Sequence, residues 1–292
     1  MAETEHIDGT GAGEAVLLDG VPETMLWTLH HRAAEARRPD TVLHDPQAVT
    51  LVEAVDFPFL TRFGHPGAFL AQAFALRAAA FDSVVRQFLD VHPAGTVVAL
   101  GEGLETAFWR VDNGTVQWLT VDLPQPLALR TALLPHGPRQ RTLACDARDP
   151  AWTAEVDPAQ GVLVLAQGLL MYLRPPEVRD LLALCAASFP GGSLVFDAMP
   201  RLPGPALHAN PSLRVSRSYS LPPMPWRMDA HDRPALRTAH PSIVEVTDVP
   251  LPPGRGPVWG WLAPWVDRIP VARNKRSTIT LLRFADRGTP DA

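Results

Sequence analysis

The sequence predicts an α/β fold built on a doubly wound, Rossmann-like parallel sheet. Three observations carry that expectation: short apolar runs recur along the middle of the chain, helical stretches alternate with them, and the first run ends in a Gly-x-Gly turn. Strands that read as continuous apolar runs are those buried on both faces of a parallel sheet.

In chain order, residues 1–20 are acidic and glycine-rich without periodicity and read as a tail. The first helix is expected from Glu23 to Arg37, where Met25, Leu26, Leu29, Ala33 and Ala36 keep helical spacing and Pro39 stops it. A short helix follows from Gln47 to Ala54. A long one runs from Ala68 to Leu89 and closes at His92-Pro93-Ala94-Gly95. Strands are expected at Thr96 to Leu100, Gln117 to Asp122, Arg141 to Cys145, Val162 to Ala166 and Ser193 to Asp197, with helices at Gln125 to Leu134 and Pro176 to Phe189 between them. After Pro200 the pattern breaks: 15 of the 31 prolines lie between Pro200 and Pro270, together with Trp226, Trp259, Trp261 and Trp265. Strand signals return at Ser242 to Val249 and Ser277 to Phe284, and residues 286–292 read as a second tail.

Composition narrows the function classes. A chain of 292 residues with 46% hydrophobic content can fill a core, which excludes a disordered polypeptide. Its 26 basic and 31 acidic residues give a net charge of −5 with no block of like charge, which disfavours a nucleic-acid partner. Lys275 is the one lysine, so arginine is the available cation wherever a carboxylate must be held. Cys145 and Cys185 lack metal-ligand spacing and read as reduced core thiols, so no metal site is expected. With no basic leader and no run of about 20 apolar residues, the expected location is the cytoplasm, without a membrane partner.

In a doubly wound sheet the ligand lies outside the carboxyl ends of the strands. The first such end reads Leu100-Gly101-Glu102-Gly103-Leu104-Glu105-Thr106, where Gly101 and Gly103 permit a tight turn and close backbone approach. Asp122 ends the next strand, placed to accept both hydroxyls of a ribose. Asp146, in Cys145-Asp146-Ala147, either caps the turn before Pro150 or accepts an adenine amine. Gln167 and Tyr172 stand in Ala166-Gln167-Gly168-Leu169-Leu170-Met171-Tyr172, which is either the start of a core helix or an apolar shelf with one amide and one phenol. A nicotinamide-dependent oxidoreductase shares the sheet and the turn, but Thr106 stands where its third glycine belongs, and Asp146 at the adenine end also counts against it.

Taken together, Glu23 to Ala33, Ala75-Leu76-Arg77, Gly101-x-Gly103-Leu104, Trp118 to Pro124 and Gly168 to Tyr172 resemble the leucine carboxyl methyltransferase family, and within it the bacterial polyketide O-methyltransferases of the tetracenomycin type. The resemblance is collinear from about Val21 to Arg201. It implies a class I S-adenosylmethionine-dependent methyltransferase with a seven-stranded sheet. The expected division is one domain over 21–285: a helical lid (21–95), a cofactor core (96–199), a substrate cap insertion (200–270) and a closing strand (271–285).

Carried over by position, the resemblance implies that Arg77 and Arg32 hold the methionine carboxylate and that Gly101 and Gly103 pass close to the amino-acid moiety. Asp122 with Leu123 would bind the ribose and Asp146 with Ala147 the adenine, while Gln167 and Gly168 stand beside the cofactor. Four positions depart from the family pattern. Glu105 and Ala107 replace the Asp and Arg of Gly-Leu-Asp-Thr-Arg, Glu102 replaces an alanine, and Gln167 replaces the Glu of Ala-Glu-Gly.

The acceptor is expected to be a small, largely apolar natural product bearing a carboxylate or a phenol. A carboxylate needs no base; a phenol, with pKa near 10, is helped by one. Tyr172 and His31 are the catalytic candidates, with His30, His208, His231 and His240 as further possible bases or structural histidines. Met224, Met228 and Trp226 can form an apolar floor, and Arg201, Arg214 or Arg217 can receive a carboxylate. Trp259, Trp261 and Trp265 read equally well as packing of the insertion onto the sheet. The altered Glu105, Ala107 and Gln167 also admit a protein of this fold that binds S-adenosylmethionine without methylating.

Overall fold

The computed structural model describes residues 20–201, 214–262, 265 and 268–286. Strands β1 (Thr96–Leu100), β2 (Gln117–Asp122), β3 (Gln140–Ala144), β4 (Val162–Ala166), β5 (Ser193–Ala198), β6 (Ile243–Asp248) and β7 (Thr278–Phe284) form one sheet in the order β3-β2-β1-β4-β5-β7-β6. The expected strands all form, within one or two residues of the sequence reading. One orientation departs from a parallel sheet: β7 runs against both β5 and β6. The carboxyl end of β6 and the start of β7 lie at the same edge, where Asp248 pairs with Thr280 and Ala198 with Thr278, so the chain can turn straight back without a crossover.

The pleat divides the central strands between two cores. Val98, Leu100, Val164 and Phe196 face one side with Trp152, Leu181 and Phe189. Val97, Ala99, Leu163, Leu165 and Val195 face the other, against α4 (Ala68–Val91) through Phe81, Val84 and Val85. The stretch expected to be a lid is therefore split, because α4 forms a layer of the sheet's own core. By length and a mean hydropathy of 1.4 alone α4 could cross a membrane. Its apolar residues are instead spent on the sheet, and it carries Arg77, Asp82 and Arg86 at its middle.

A third core joins α1 (Thr24–Ala36), α2 (Pro46–Ala54) and the five-residue α3 (Phe59–Phe63) through Leu26, Trp27, Leu29, Leu51 and Phe59. Asp45 caps α2, accepting the N–H of Ala48 at 3.0 Å, with Pro46 in the first turn. Two segments absent from the sequence reading, α3 and α5 (Ala107–Val111), are too short to show a helical period. The helices α6 (Pro124–Leu133) and α7 (Pro175–Ser188) follow β2 and β4 as expected.

The described parts of the proline-rich stretch lie against different elements. Trp226 and Met228 are buried in the sheet's core, and Trp226 packs edge-on against Phe196 at 5.9 Å. Residues 214–221 lie on α3, where Ser216 Oγ donates to the carbonyl of Arg62 at 2.7 Å. Trp259 stacks on Phe69 at 4.9 Å, whereas Trp261 is 67% exposed and Trp265 is also on the surface, so neither packs onto the sheet.

Candidate functional site

The strand order reverses between β1 and β4, and a cavity of about 270 Å³ opens at the carboxyl ends of β1 to β4. Its walls are Gly101 and Gly103 after β1, Val121 to Leu123 at β2, Cys145 to Arg148 after β3, and Gly168, Leu169, Tyr172 and Leu173 after β4. The start of α1 closes the top through Val21, Pro22, Thr24 and Met25. No described residue beyond Arg201 lines it, so the described part of the proline-rich stretch does not wall this cavity.

The glycines are there for their conformation. Gly101, Gly103 and Gly168 have φ of 60°, 51° and 71°, in the left-handed region that L side chains avoid. A Cβ on Gly103 would stand 2.9 Å from that of Met25, so the absent side chain lets α1 close over the turn. Asp122 fastens the same turn: its Oδ2 accepts the N–H of Gly103 at 2.7 Å and its Oδ1 that of Leu123 at 2.7 Å. Burial pushes this carboxyl up, against the opposing pull of the two N–H groups and of Arg130. Each oxygen keeps lone-pair capacity for a further donor in the cavity.

Asp146 is already engaged at the cavity rim. It accepts the Arg148 guanidinium at 2.9 and 2.5 Å, which holds its carboxyl below the usual range, and Arg148 also reaches Glu177 at 2.8 Å. Ala147 beside it is buried and apolar. Leu123 is part-exposed at the mouth. At the β4 end, Asp197 accepts the N–H of Gly168 at 2.6 Å and Arg77 Nη1 at 3.0 Å. Arg77 thus lies beside Gly168, and its Nε has no partner among the described residues.

Behind the glycine turn is a dry charge network. Glu105 receives four donors: Arg32 at 2.7 Å, Arg110 at 2.9 Å, Gln167 at 2.8 Å and the N–H of Thr106 at 2.9 Å. Burial works against its charge, but Arg32 and Arg110 prevail and hold it down at about 2. Arg32 spends its other donors on Asp45 and on the carbonyl of Leu104, and Arg110 spends its own on Asp45 and Asp82. Neither arginine lines the main cavity; Glu105 and Gln167 line a pocket of about 20 Å³ behind it.

A family profile described as "Leucine carboxyl methyltransferase" matches residues 25–186, more than half of the chain. The chain belongs to the leucine carboxyl methyltransferase family. Membership makes S-adenosylmethionine its cofactor, and the seven-stranded sheet is the one expected of it. The methyltransferase is 34% identical over 188 residues to the tetracenomycin polyketide synthesis O-methyltransferase of Streptomyces glaucescens, covering 64% of this chain and 69% of that protein. It is 30% identical over 202 residues to the S-adenosyl-L-methionine-dependent methyltransferase dpfgK of Gibberella zeae, with 63% and 67% covered. An O-methyltransferase family protein of Burkholderia thailandensis aligns with a TM-score of 0.44 and 18% identity, over 91% of this chain and 73% of that one.

The residues of the methyltransferase fit such a cofactor. The volume is near the lower end of the roughly 300–1,000 Å³ of small-molecule sites, and a glycine cradle, a buried carboxylate and apolar walls meet in it. The cavity brings together Gly101, Gly103, Asp122, Leu123, Asp146, Ala147, Gly168 and Tyr172 and leaves out Arg32, Arg77 and Gln167, of which Arg77 stands beside the lining Gly168.

His31 is also outside. The carbonyl of Trp27 can only accept, so the contact at 2.9 Å makes Nδ1 the protonated nitrogen. Burial lowers the pKa of His31 and keeps the ring neutral near pH 7. Burial raises the Tyr172 phenol, with Thr24 as a hydrogen-bond partner. Among the remaining bases, His30 bonds the carbonyl of Gly64, His231 bonds Asn274, and His240 accepts the N–H of Ser242. His208 lies outside the described residues.

The acceptor candidates divide. Trp226 and Met228 are core rather than floor, for the packing reasons above, and Met224 packs against the α1–α3 core. Arg201 pairs with Asp232 at 2.6 Å, and Arg214 bonds the carbonyls of Ser216 and Arg217. Arg217 is exposed, and none of these arginines lines the cavity. The sequence reading missed Arg130, which bonds the carbonyls of Gly103 and Glu105 at 2.8 and 2.6 Å and pairs with Glu102. Its signal was available: Arg130 lies on the apolar face of α6 with Pro126 and Leu127. Asp197 was missed too, although it stands near the end of a fifth strand.

Proposed function

We propose that the chain is an O-methyltransferase acting on a carboxylate or phenolic hydroxyl of a small, largely apolar, polyketide-like aromatic acceptor. It would work in the cytoplasm, in secondary metabolism of the antibiotic-forming kind. The observation that carries this reading is Asp122, a buried carboxylate held by two backbone N–H groups over a glycine cradle at the strand ends. The likeness to the Streptomyces glaucescens protein supports oxygen as the accepting atom.

S-adenosylmethionine supplies a methyl group already activated by its cationic sulfur. In this reading Asp122 accepts the ribose hydroxyls, Leu123, Ala147 and Leu169 exclude water from the adenine, and the rim acid Asp146 meets its amine. Arg77 holds the amino-acid carboxylate with the donors that Asp197 leaves free. Arg32 serves a different purpose: its guanidinium is fully engaged, so it positions the turn through Glu105 and Leu104. Tyr172, beside Gly168, orients the acceptor. Gln167 donates to Glu105, so one carboxylate survives near the position where the family carries its acid, and a single negative charge is retained there.

The test is transfer of a labelled methyl group from S-adenosylmethionine to hydroxynaphthoic acids. Label that is released by alkali reports an ester, and label that resists it reports an ether. The alternative, cofactor binding without methylation, is favoured by Ala107 and Gln167, and it predicts saturable binding with no labelled product.

A further inference from the structure

Two buried donors near the cavity have no partner among the described residues. Trp27, 8% exposed, leaves its indole N–H unsatisfied, and Tyr219, 3% exposed, leaves its phenolic oxygen so. The two side chains come from segments nearly 200 residues apart, yet their rings lie 6.5 Å from each other. Buried polar groups are almost always paired, so two orphans side by side call for a partner that the chain itself does not supply. The surroundings specify the rest of that ligand. Phe74 meets Trp27 edge-on at 5.0 Å and Phe63 meets Tyr219 edge-on at 4.8 Å, so the pair is set among aromatic carbon.

The pair neighbours the site already described. Thr24, one helical turn before Trp27, lines the cavity with Tyr172, and Tyr172 is close enough to Tyr219 to disfavour its ionisation. Arg77, beside Gly168, lies over the ring of Phe74 at 5.2 Å. Tyr219 is held in position by Arg62, which lies over its ring at 5.4 Å, bonds Glu23 at the start of α1 at 2.5 and 2.9 Å, and donates to the carbonyl of Ser218.

We propose that Trp27 and Tyr219 are specificity-determining residues that recognise an oxygen substituent of the aromatic acceptor, distinct from the oxygen that is methylated. The indole N–H can only donate, so its partner is an acceptor oxygen, a carbonyl or an ionised oxygen; the Tyr219 hydroxyl donates to the same substituent. An acceptor without that oxygen leaves both donors buried and unpaired, which is how a site rejects an isostere. The inference rests on the methyltransferase reading and narrows its substrate class to arenes with at least two oxygen functions.

The experiment compares 3-hydroxy-2-naphthoate with 2-methylnaphthalene, binding to wild type, Tyr219→Phe and Trp27→Phe in the presence of S-adenosylhomocysteine. Tyr219→Phe removes only an unpartnered oxygen, so its melting temperature without probe is expected to be no lower than that of wild type. Its affinity for the hydroxynaphthoate should fall about fivefold to tenfold, with affinity for methylnaphthalene and for S-adenosylhomocysteine unchanged. Trp27→Phe should show the same split. Equal hydroxynaphthoate affinity in wild type and both variants would overturn the proposal, as would a wild type that binds S-adenosylhomocysteine but neither probe. A lowered melting temperature in Tyr219→Phe with unchanged probe affinity would also overturn it, since the oxygen would then be satisfied by water. Tyr219-dependent probe binding without binding of S-adenosylhomocysteine would support the pair and contradict the cofactor reading instead.

Discussion

Asp122 accepts the backbone N–H of Gly103 at 2.7 Å, and this bond joins the end of β2 to the turn after β1. The carboxylate therefore has two tasks, fixing the turn and receiving a ligand's hydroxyls. Asp122→Ala is expected to weaken S-adenosylhomocysteine binding by about 1–3 kcal/mol, the cost of unpaired polar groups, as read by calorimetry. Burial raises the folded pKa of Asp122, so its charge destabilises the fold above the ordinary aspartate range and this penalty is relieved on acidification. Ligand affinity should run the other way, falling with pH before an ordinary aspartate would titrate, and Asp122→Asn should flatten that dependence.

Gly103→Ala tests the closeness of α1 to the turn. The φ of 51° costs an L residue about 1–2 kcal/mol, and the new Cβ meets that of Met25. The melting temperature should drop, and Met25→Ala in the same chain should restore only part of it, because it relieves the collision and not the dihedral.

Glu105 answers to two buried arginines. Glu105→Ala leaves Arg32 and Arg110 with less anionic charge and should destabilise by about 3–5 kcal/mol, as broken buried pairs do, measured by urea unfolding. The folded pKa of about 2 lies below the unfolded value of 4.5, so its contribution is complete above pH 4.5 and is lost as pH falls towards 2. Asp82 and Glu102, both raised by burial, shift stability in the opposite direction, and they do so from their unfolded values of 3.8 and 4.5 upward. Glu105→Gln should therefore lose the acid-labile part of the stability that wild type retains at pH 5.

The tryptophans of the proline-rich stretch should separate by burial. Trp226→Ala empties a core position and is expected to cost about 3–5 kcal/mol. Trp261→Ala, on the surface, should change stability by no more than about 0.5 kcal/mol. Equal losses in thermal unfolding would contradict the placement of both.

Much of this was legible before any coordinates. The strands of the cofactor core show as apolar runs because both faces are buried, and Asp122 stands out as a charge at the end of such a run. Arg32 was legible as part of a motif but not in its task, because Glu105, Asp45 and Leu104, which absorb its donors, are distant in sequence. The same holds for Trp226, whose burial against Phe196 depends on a chain path that prolines obscure. Trp27 and Tyr219 carry no joint signal in sequence, since their relation exists only once residues 214–221 rest on α3.

The most direct measurement is calorimetric titration of S-adenosylmethionine into the full chain and into Asp122→Ala, followed by labelled-methyl transfer to 3-hydroxy-2-naphthoate. The expected result is one-site binding in wild type, about fivefold or more weaker in the variant, and an oxygen-methylated product from wild type. Absence of binding, or equal binding in a folded Asp122→Ala, would contradict the placement of the cofactor at the ends of β1 and β2.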